Sequence, residues 1–372
     1  MSGILKFIFR SLVAICLIAG VLFFWFILYA NLLQKDFTPI KSLSDKSSKD
    51  LLVAESKIPG YFKPEESTYL TYPEWYLVFN PQEYARFLKE NNPSAFPYFG
   101  SIKQFWQGYA NVYAITIAHY PFNFGNHLML GVIGTSYTVE YLIKGLYENS
   151  IGRLFELLSR GQRTDEEDFA AEVAKQYGDF VPTDPWFQFP FGKKFQELWT
   201  GVHFLGPNFI RKFERRIIIS AELGIKYIYA GLIGLGSHAV FGIADTEVFC
   251  AVKGSSDSLF HRPPFRILAK LDSNIYLIAV PHYQGFTDQI PFLANSGIQF
   301  IDLAGNDEIL MTVIGPRNGN PDFPGGKVLF ELPVLTDSNM RRIAVQVDVR
   351  KLSEALVGLS KDSLVLEHLF DY

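Results

Sequence analysis

The chain has 372 residues, of which 48% are hydrophobic and 16% aromatic, and its formal net charge is −4. This charge gives no reason to expect nucleic-acid binding, which needs a basic surface. The two cysteines, Cys16 and Cys250, lie far apart and one is inside an apolar run, so a disulfide scaffold is excluded.

The first long feature is an uncharged apolar run at residues 11–33. As a helix rising about 1.5 Å per residue it would be roughly 34 Å long, enough to cross a hydrocarbon core of about 30 Å. Lys6 and Arg10 precede the run, as they would in a cleavable signal peptide, which is the alternative. The run is longer than the core of a signal peptide, so we predict a retained membrane anchor over residues 1–34.

A polar tether follows at residues 35–60, where lysines alternate with aspartates. Long domains cross a membrane with little regard to charge, whereas an outward N-terminal tail would carry Lys6 and Arg10 across. We therefore predict a single-pass protein whose N-terminus is inside and whose bulk is outside.

Residues 61–245 are rich in aromatic side chains and predict a mainly α-helical central domain. Asn80 and Pro81 indicate the start of a helix over residues 82–90. Thr164 and Glu167 have the spacing of a capping box, which predicts a helix over residues 165–177.

Two apolar stretches of this domain resemble membrane spans. Residues 127–147 contain charges and predict a buried helix instead. Residues 227–244 carry mostly small side chains at every fourth position (Ala230, Gly234, His238 and Gly242), a pattern typical of close helix packing in lipid or in a core. A basic cluster just upstream would lie on the outer side, so we predict a buried globular helix, with a second span as the alternative.

Residues 246–372 predict a C-terminal α+β domain built from two tandem repeats. Asp-Ser-Asn at 272–274, followed by Ile-Ala-Val at 278–280, recurs 65 residues later in the chain. Each copy indicates a strand-strand-helix-strand unit with a tight turn. Because one such unit buries little surface, we expect both copies to share one sheet with both helices on one face. The overall fold class is therefore α+β.

Two acid–base pairs are the strongest candidates for chemistry. Glu140 and Lys144, and likewise Glu222 and Lys226, occur in the same pattern E-x-x-I-K. A spacing of four places both charges on one helix face, and four charges would meet if the two helices faced each other. Such a centre would transfer protons or hold a polar head group; the alternative is two structural ion pairs.

Histidines and a basic cluster complete the candidates. His119 and His127 flank a loop at a spacing that fits no zinc or di-iron motif, so no metal site is predicted, although either residue could join the polar centre. Phosphate-loop, nucleophile-elbow and C-x-x-C motifs are absent, and we expect no cofactor. The basic cluster is a candidate for binding anionic lipid head groups or a solvated helix face, and it consists of Arg211, Lys212, Arg215 and Arg216.

Three segments carry a resemblance: TYPEWY at residues 71–76, PSAFPYFGSIKQFW at 93–106 and FIRKFERRIIISAELGIKY at 209–227. On these segments the chain resembles a group of bacterial membrane-anchored proteins without a known activity. The resemblance implies a bacterial envelope setting, with the anchor in the inner membrane and the bulk in the periplasm. It supplies no activity, substrate or cofactor.

The anchor and the aromatic content favour a protein that binds or handles a lipid or another apolar ligand at the membrane surface, with membrane lipid as its partner. One alternative is an enzyme of lipid or cell-envelope metabolism that uses a buried Glu/Lys centre. Another is a scaffold in an envelope complex, with the C-terminal domain as the surface for a protein partner.

Overall fold

The computed structural model describes residues 49–240, 246–254, 257–272, 274–319, 321–359 and 363–372, with a few isolated positions near the N-terminus. The predicted anchor and most of the predicted tether lie outside these segments. Over the described residues the chain is a mixed α+β protein with two four-stranded antiparallel sheets, which confirms the predicted fold class.

The first half of the described chain is helical. Its elements are α1 (Lys49–Glu55), α2 (Ser67–Leu70), α3 (Tyr72–Leu88), α4 (Tyr98–His119), α5 (Phe124–Tyr147), α6 (Arg153–Leu158), α7 (Asp165–Phe180), α8 (Phe191–Thr200) and α9 (Phe209–Val240).

The second half alternates strands with three short helices. Its elements are β1 (Glu247–Lys253), α10 (Asp257–Phe260), β2 (Arg266–Asp272), β3 (Ile275–Pro281), α11 (Gln284–Asn295), β4 (Gln299–Leu303), β5 (Glu308–Pro316), β6 (Gly326–Pro333), β7 (Met340–Asp348), α12 (Leu352–Gly358) and β8 (Val365–Phe370).

The chain divides into two compact units, and each unit consists of segments that are separated in the sequence. Over the described residues, unit 1 contains the chain up to Glu74, Trp106–Val132 and Asp245–Tyr372, and unit 2 contains Trp75–Phe105 and Ile133–Ala244. Parts of the region predicted as one helical domain, 61–245, are therefore grouped with the sheets. The helices α3, α4 and α5 each continue from one unit into the other, so helical periodicity gives no sign of the division.

Unit 1 contains both sheets, and they have the same strand order, β2-β3-β1-β4 and β6-β7-β5-β8. The expectation of one shared sheet is wrong. Each repeat begins with an additional strand, β1 or β5, which lies inside its sheet and pairs on both sides, so each repeat completes a sheet of its own. One hydrophobic core contains residues of both sheets and of α11 and α12.

The second Asp-Ser-Asn turn is present between β6 and β7. The Asn339 backbone N–H donates to Asp337 Oδ1 at 3.0 Å, the side-chain contact that makes aspartate common in turns. Ser273, in the first copy, lies outside the described residues.

The two predicted helix starts in unit 2 have different outcomes. Thr164 and Glu167 form the predicted capping box at the start of α7, although the helix continues to Phe180. The predicted start at Pro81 is wrong, because Pro81 lies inside α3. Burial of apolar side chains on both sides of Pro81, with Trp75 and Phe79 before it and Leu88 after it, outweighs the missing backbone hydrogen bond.

Candidate functional site

The four charges of the two E-x-x-I-K segments meet in unit 2, where α5 and α9 face each other. Lys144 Nζ lies 3.1 Å from Glu140 Oε1 and 2.7 Å from Glu222 Oε1. Lys226 Nζ lies 3.1 Å from Glu140 Oε1 and 3.2 Å from Glu222 Oε1. The four side chains therefore form a closed ring of alternating charge, which we call the four-charge ring.

The ring holds its members in their charged forms. Desolvation alone would raise the pKa of Glu140, but the ammonium groups of Lys226 and Lys144 outweigh it and lower that pKa to about 2. Desolvation disfavours the Lys144 ammonium, yet the carboxylates of Glu222 and Glu140 raise its pKa well above the ordinary value. Both groups are thus ionised throughout the physiological pH range.

The ring is open on its acidic side. The carboxylate side chains of Glu140 and Glu222 are 38% and 39% exposed, whereas the two lysines are only 18% and 20% exposed. Aromatic rings line the lysines: Tyr84 lies 5.6 Å from Lys144, and Tyr177 lies 5.1 Å from Lys226. The carboxylates are thus the groups that a molecule from outside would meet.

The basic cluster at the start of α9 points into unit 2. Arg211, Lys212, Arg215 and Arg216 are all buried, so they form no exposed basic face. Arg211 contacts Glu167 at 2.6 Å and Glu214 at 2.9 Å. These contacts show that the cluster has acidic partners inside unit 2. The proposed role in head-group binding stays a prediction.

Three further acidic residues complete this network, of which Glu148 and Glu166 are buried and Asp165 is exposed. Arg215 binds Glu148 at 2.8 Å, and Arg216 binds Glu166 at 2.8 Å. Lys212 pairs with Asp165 in the first turn of α7. Since an unpaired buried charge is costly, the acidic start of α7 and the basic start of α9 stabilise each other.

Apolar side chains cover the outside of α9. Every residue of Phe209–Gly234 that is classed as exposed is apolar, tyrosine or glycine, whereas its seven charged residues are buried or half-buried. The most exposed are Ile225 at 68%, Ile228 at 64% and Leu232 at 63%. The prediction of a buried helix from residue 227 is therefore wrong as far as the side chains are described.

Among the described residues α9 is also the one helix that is long and apolar enough to cross a membrane by length and composition. Only 17% of its most apolar window is buried. By the same test neither α5 nor any other described helix qualifies.

The two candidate histidines belong to unit 1 and the four-charge ring to unit 2. His119 is exposed at the end of α4. His127 is buried, stacks on Phe122 at 4.6 Å and lies 3.1 Å from the Tyr109 hydroxyl through Nδ1. Burial lowers the pKa of His127 to about 4, so it is neutral at physiological pH. No metal-binding group of side chains occurs in the described part of the chain.

A second titratable site lies in unit 1, and the sequence did not predict it. Glu55 in α1 and Asp302 in β4 are both buried. Burial, and then a hydrogen bond to Asp302, raise the pKa of Glu55 to about 9, so Glu55 is protonated at pH 7. Tyr61 donates a hydrogen bond of 2.9 Å to Asp302 Oδ1. Glu55 and Asp302 are 247 positions apart, and no local pattern links them.

No family model, no curated protein and no solved structure matches this chain. The assignment of function therefore depends on the geometry of the described residues.

Proposed function

We propose that this chain is a membrane-bound protein of the bacterial envelope that binds lipid, with the outer face of α9 in the interfacial layer of a bilayer. The observation that carries this proposal is the reversed arrangement of α9. Its charged side chains face the protein interior and its exposed side chains are apolar. In lipid the apolar residues are the ones that belong outside, and the charged residues are the ones that need protein partners.

The exposed residues form one stripe. Ile210, Phe213, Ile217, Ile225 and Ile228 follow one another at helical spacing, and Leu232 extends the series. From Ile210 to Leu232 the stripe is about 33 Å long at 1.5 Å per residue. Exposed apolar surface costs roughly 25 cal/mol per Å² in water, so a stripe of this length indicates a surface that is covered in the working protein.

The neighbouring helix supports lipid as the covering material. In α6, Leu154, Leu157 and Leu158 are 57%, 72% and 64% exposed. The exposed residues Arg153 and Arg160 lie beside them in sequence. Leucines flanked by arginines are typical of helices that lie in the membrane interface and attract anionic lipid.

The N-terminal apolar run belongs to the same proposal. As an inner-membrane anchor, residues 11–33 would hold both units next to the bilayer, with the bulk of the chain in the periplasm. The tether would let unit 2 lay its stripe on the same membrane.

The charge states of the ring favour binding over catalysis. A general acid or base works best with a pKa near the operating pH. The pKa of Glu140 is held near 2 and that of Lys144 far above neutrality, so neither group is suited to proton transfer. The same fixed charges are suited to holding a polar head group.

A depth measurement on the full chain tests this proposal. In a Cys16→Ser background, Ile217→Cys and Ile228→Cys would carry an environment-sensitive fluorophore in nanodiscs that contain lipids with a quenching group on the acyl chain. Native Cys250 is fully buried and contributes little labelling. We expect strong quenching at both positions, because the stripe lies among acyl chains.

The matched control is Val365→Cys in β8, which is 63% exposed and belongs to unit 1. We expect a much smaller quenching effect there. Equal, weak quenching at residues 217, 228 and 365 would contradict the proposal and favour a protein partner for the stripe.

A further inference from the structure

We propose that the four-charge ring binds the head group of a zwitterionic lipid that carries a primary ammonium and a phosphodiester, as phosphoethanolamine lipids do. This inference rests on the lipid-binding function proposed above and names the class of lipid.

The contacts inside the ring leave defined atoms for a ligand. The contact that defines each ion pair is made by Oε1 of Glu140 or Glu222, and each carboxylate has a second oxygen with lone pairs of its own. The carboxylates are also the more exposed half of the ring. Two partly exposed carboxylates on neighbouring helices can accept hydrogen bonds from a group with several N–H donors.

The lysines complete the match. An ammonium group has three N–H donors, and each lysine lies within ion-pair distance of two ring carboxylates. Each lysine thus has more donors than carboxylate neighbours in the ring, and the additional donor can bind a phosphate oxygen. A head group that presents an ammonium to the carboxylates and a phosphate to the lysines therefore satisfies both halves of the ring.

The neutral overall charge of the ring favours a zwitterionic ligand over an anion or a cation. The ring contains two positive and two negative charges and is neutral as a whole. It lies beside exposed apolar residues, Ile143 at 46% and Ile225 at 68%, each three positions after a ring glutamate. In such surroundings an anionic or cationic ligand would leave one charge without compensation, whereas a zwitterion leaves none. The same isoleucines offer apolar contact to the acyl chains.

The test compares three short-chain lipids on the full chain in mild detergent: dihexanoyl phosphatidylethanolamine, phosphatidylcholine and phosphatidylglycerol. Titration calorimetry measures the Kd of each. Choline has no N–H donor, and glycerol has no positive charge. We expect the ethanolamine lipid to bind at least about tenfold more tightly than either of the others, as one charge-assisted hydrogen bond would give. Equal affinities for the three lipids would overturn the inference.

Two conservative variants locate the site. We expect Glu140→Gln and Glu222→Gln to weaken binding of the ethanolamine lipid about tenfold. The control Asp179→Asn removes a carboxylate from an exposed i, i+4 pair with Lys175 in α7 and should bind as the native chain does. Circular dichroism checks that the variants are folded; if they are not, the comparison of lipids on the native chain decides alone.

The two proposals fail in different ways. Quenching at Ile217→Cys without any preference among the lipids would refute the head-group site and leave the membrane-facing stripe intact. Loss of both effects would refute both.

Discussion

Helices α9 and α11 have opposite relations to their surroundings. In α11, Phe286, Ile290 and Leu293 are fully buried, and the polar residues Asp288 and Asn295 are exposed. In α9 four of the seven isoleucines are exposed, and the arginines are buried. Helix α11 has the arrangement of a helix in a water-soluble protein, whereas α9 has the reverse. The comparison shows that an amphipathic pattern identifies two faces but not which face is covered by protein.

The two units also differ in how they bury carboxyl groups. Unit 2 pairs the buried Glu167 and Glu214 with the guanidinium group of Arg211. Unit 1 keeps Glu55 protonated, because it is buried next to another carboxyl group, Asp302. Pairing of a carboxylate with arginine contributes stability that does not change with pH near neutrality. The contribution of a carboxyl group that is buried in its protonated form falls as the pH rises.

Replacing the buried Arg211 should have the largest effect. In Arg211→Met, Glu167 and Glu214 lose a buried partner, so we expect the free energy of unfolding to fall by about 3–5 kcal/mol. Urea unfolding of the full chain in mild detergent measures the change. The control Lys175→Met removes an exposed partner of Asp179 and should leave the free energy of unfolding nearly unchanged. Similar small effects in both variants would mean that α9 does not depend on its inward charges.

Replacing one isoleucine by alanine in α11 and one in α9 tests the comparison of the two helices directly. We expect Ile290→Ala in α11 to lower the free energy of unfolding by about 2–5 kcal/mol, because a fully buried side chain leaves a cavity. Ile228→Ala in α9, where the side chain is 64% exposed, should cost less than about 0.5 kcal/mol in the same detergent. A large loss for Ile228→Ala would show that this face is covered by the protein itself.

Glu55→Gln should have the smallest effect of these variants, and it should raise the free energy of unfolding rather than lower it. The folded-state pKa of Glu55 is raised to about 9, above its unfolded value, so its contribution is fully present below about pH 4.5 and is lost as pH rises through about 9. Glutamine cannot ionise and still donates to Asp302, so we expect the variant to be more stable than the native chain at pH 8.

Unfolding measured from pH 5 to pH 8.5 checks this sign, since the stabilisation should shrink towards pH 5. The control Glu354→Gln, at an exposed position in α12, should show no such trend. An unchanged pH profile in Glu55→Gln would mean that Glu55 is ionised in the folded state.

Local patterns predicted several elements correctly. The Thr164 and Glu167 pair predicted the start of α7, and the Asp337 turn was predicted from three residues. The spacing within each E-x-x-I-K segment placed acid and base on one helix face. Each of these features depends on atoms within a few residues of one another, and such contacts form in the same way in many proteins.

Features that involve distant residues were not predicted. The additional strands β1 and β5 acquire their places only by pairing with strands later in the chain. Pro81 was expected to begin a helix, but buried apolar residues on both sides continue α3 through it. The partner of Glu55 is separated from it by most of the chain.

The sequence by itself determined the α+β class, the helical periods and the presence of paired charges, because these follow from residue type and short spacing. Only the tertiary structure decided that α5 and α9 face each other to close the four-charge ring, and that α9 turns its arginines inward and four of its seven isoleucines outward. The physical reason is that a helix with one charged and one apolar face is compatible with either orientation. The acidic residues at the start of α7 bind the charged face and thereby select the orientation.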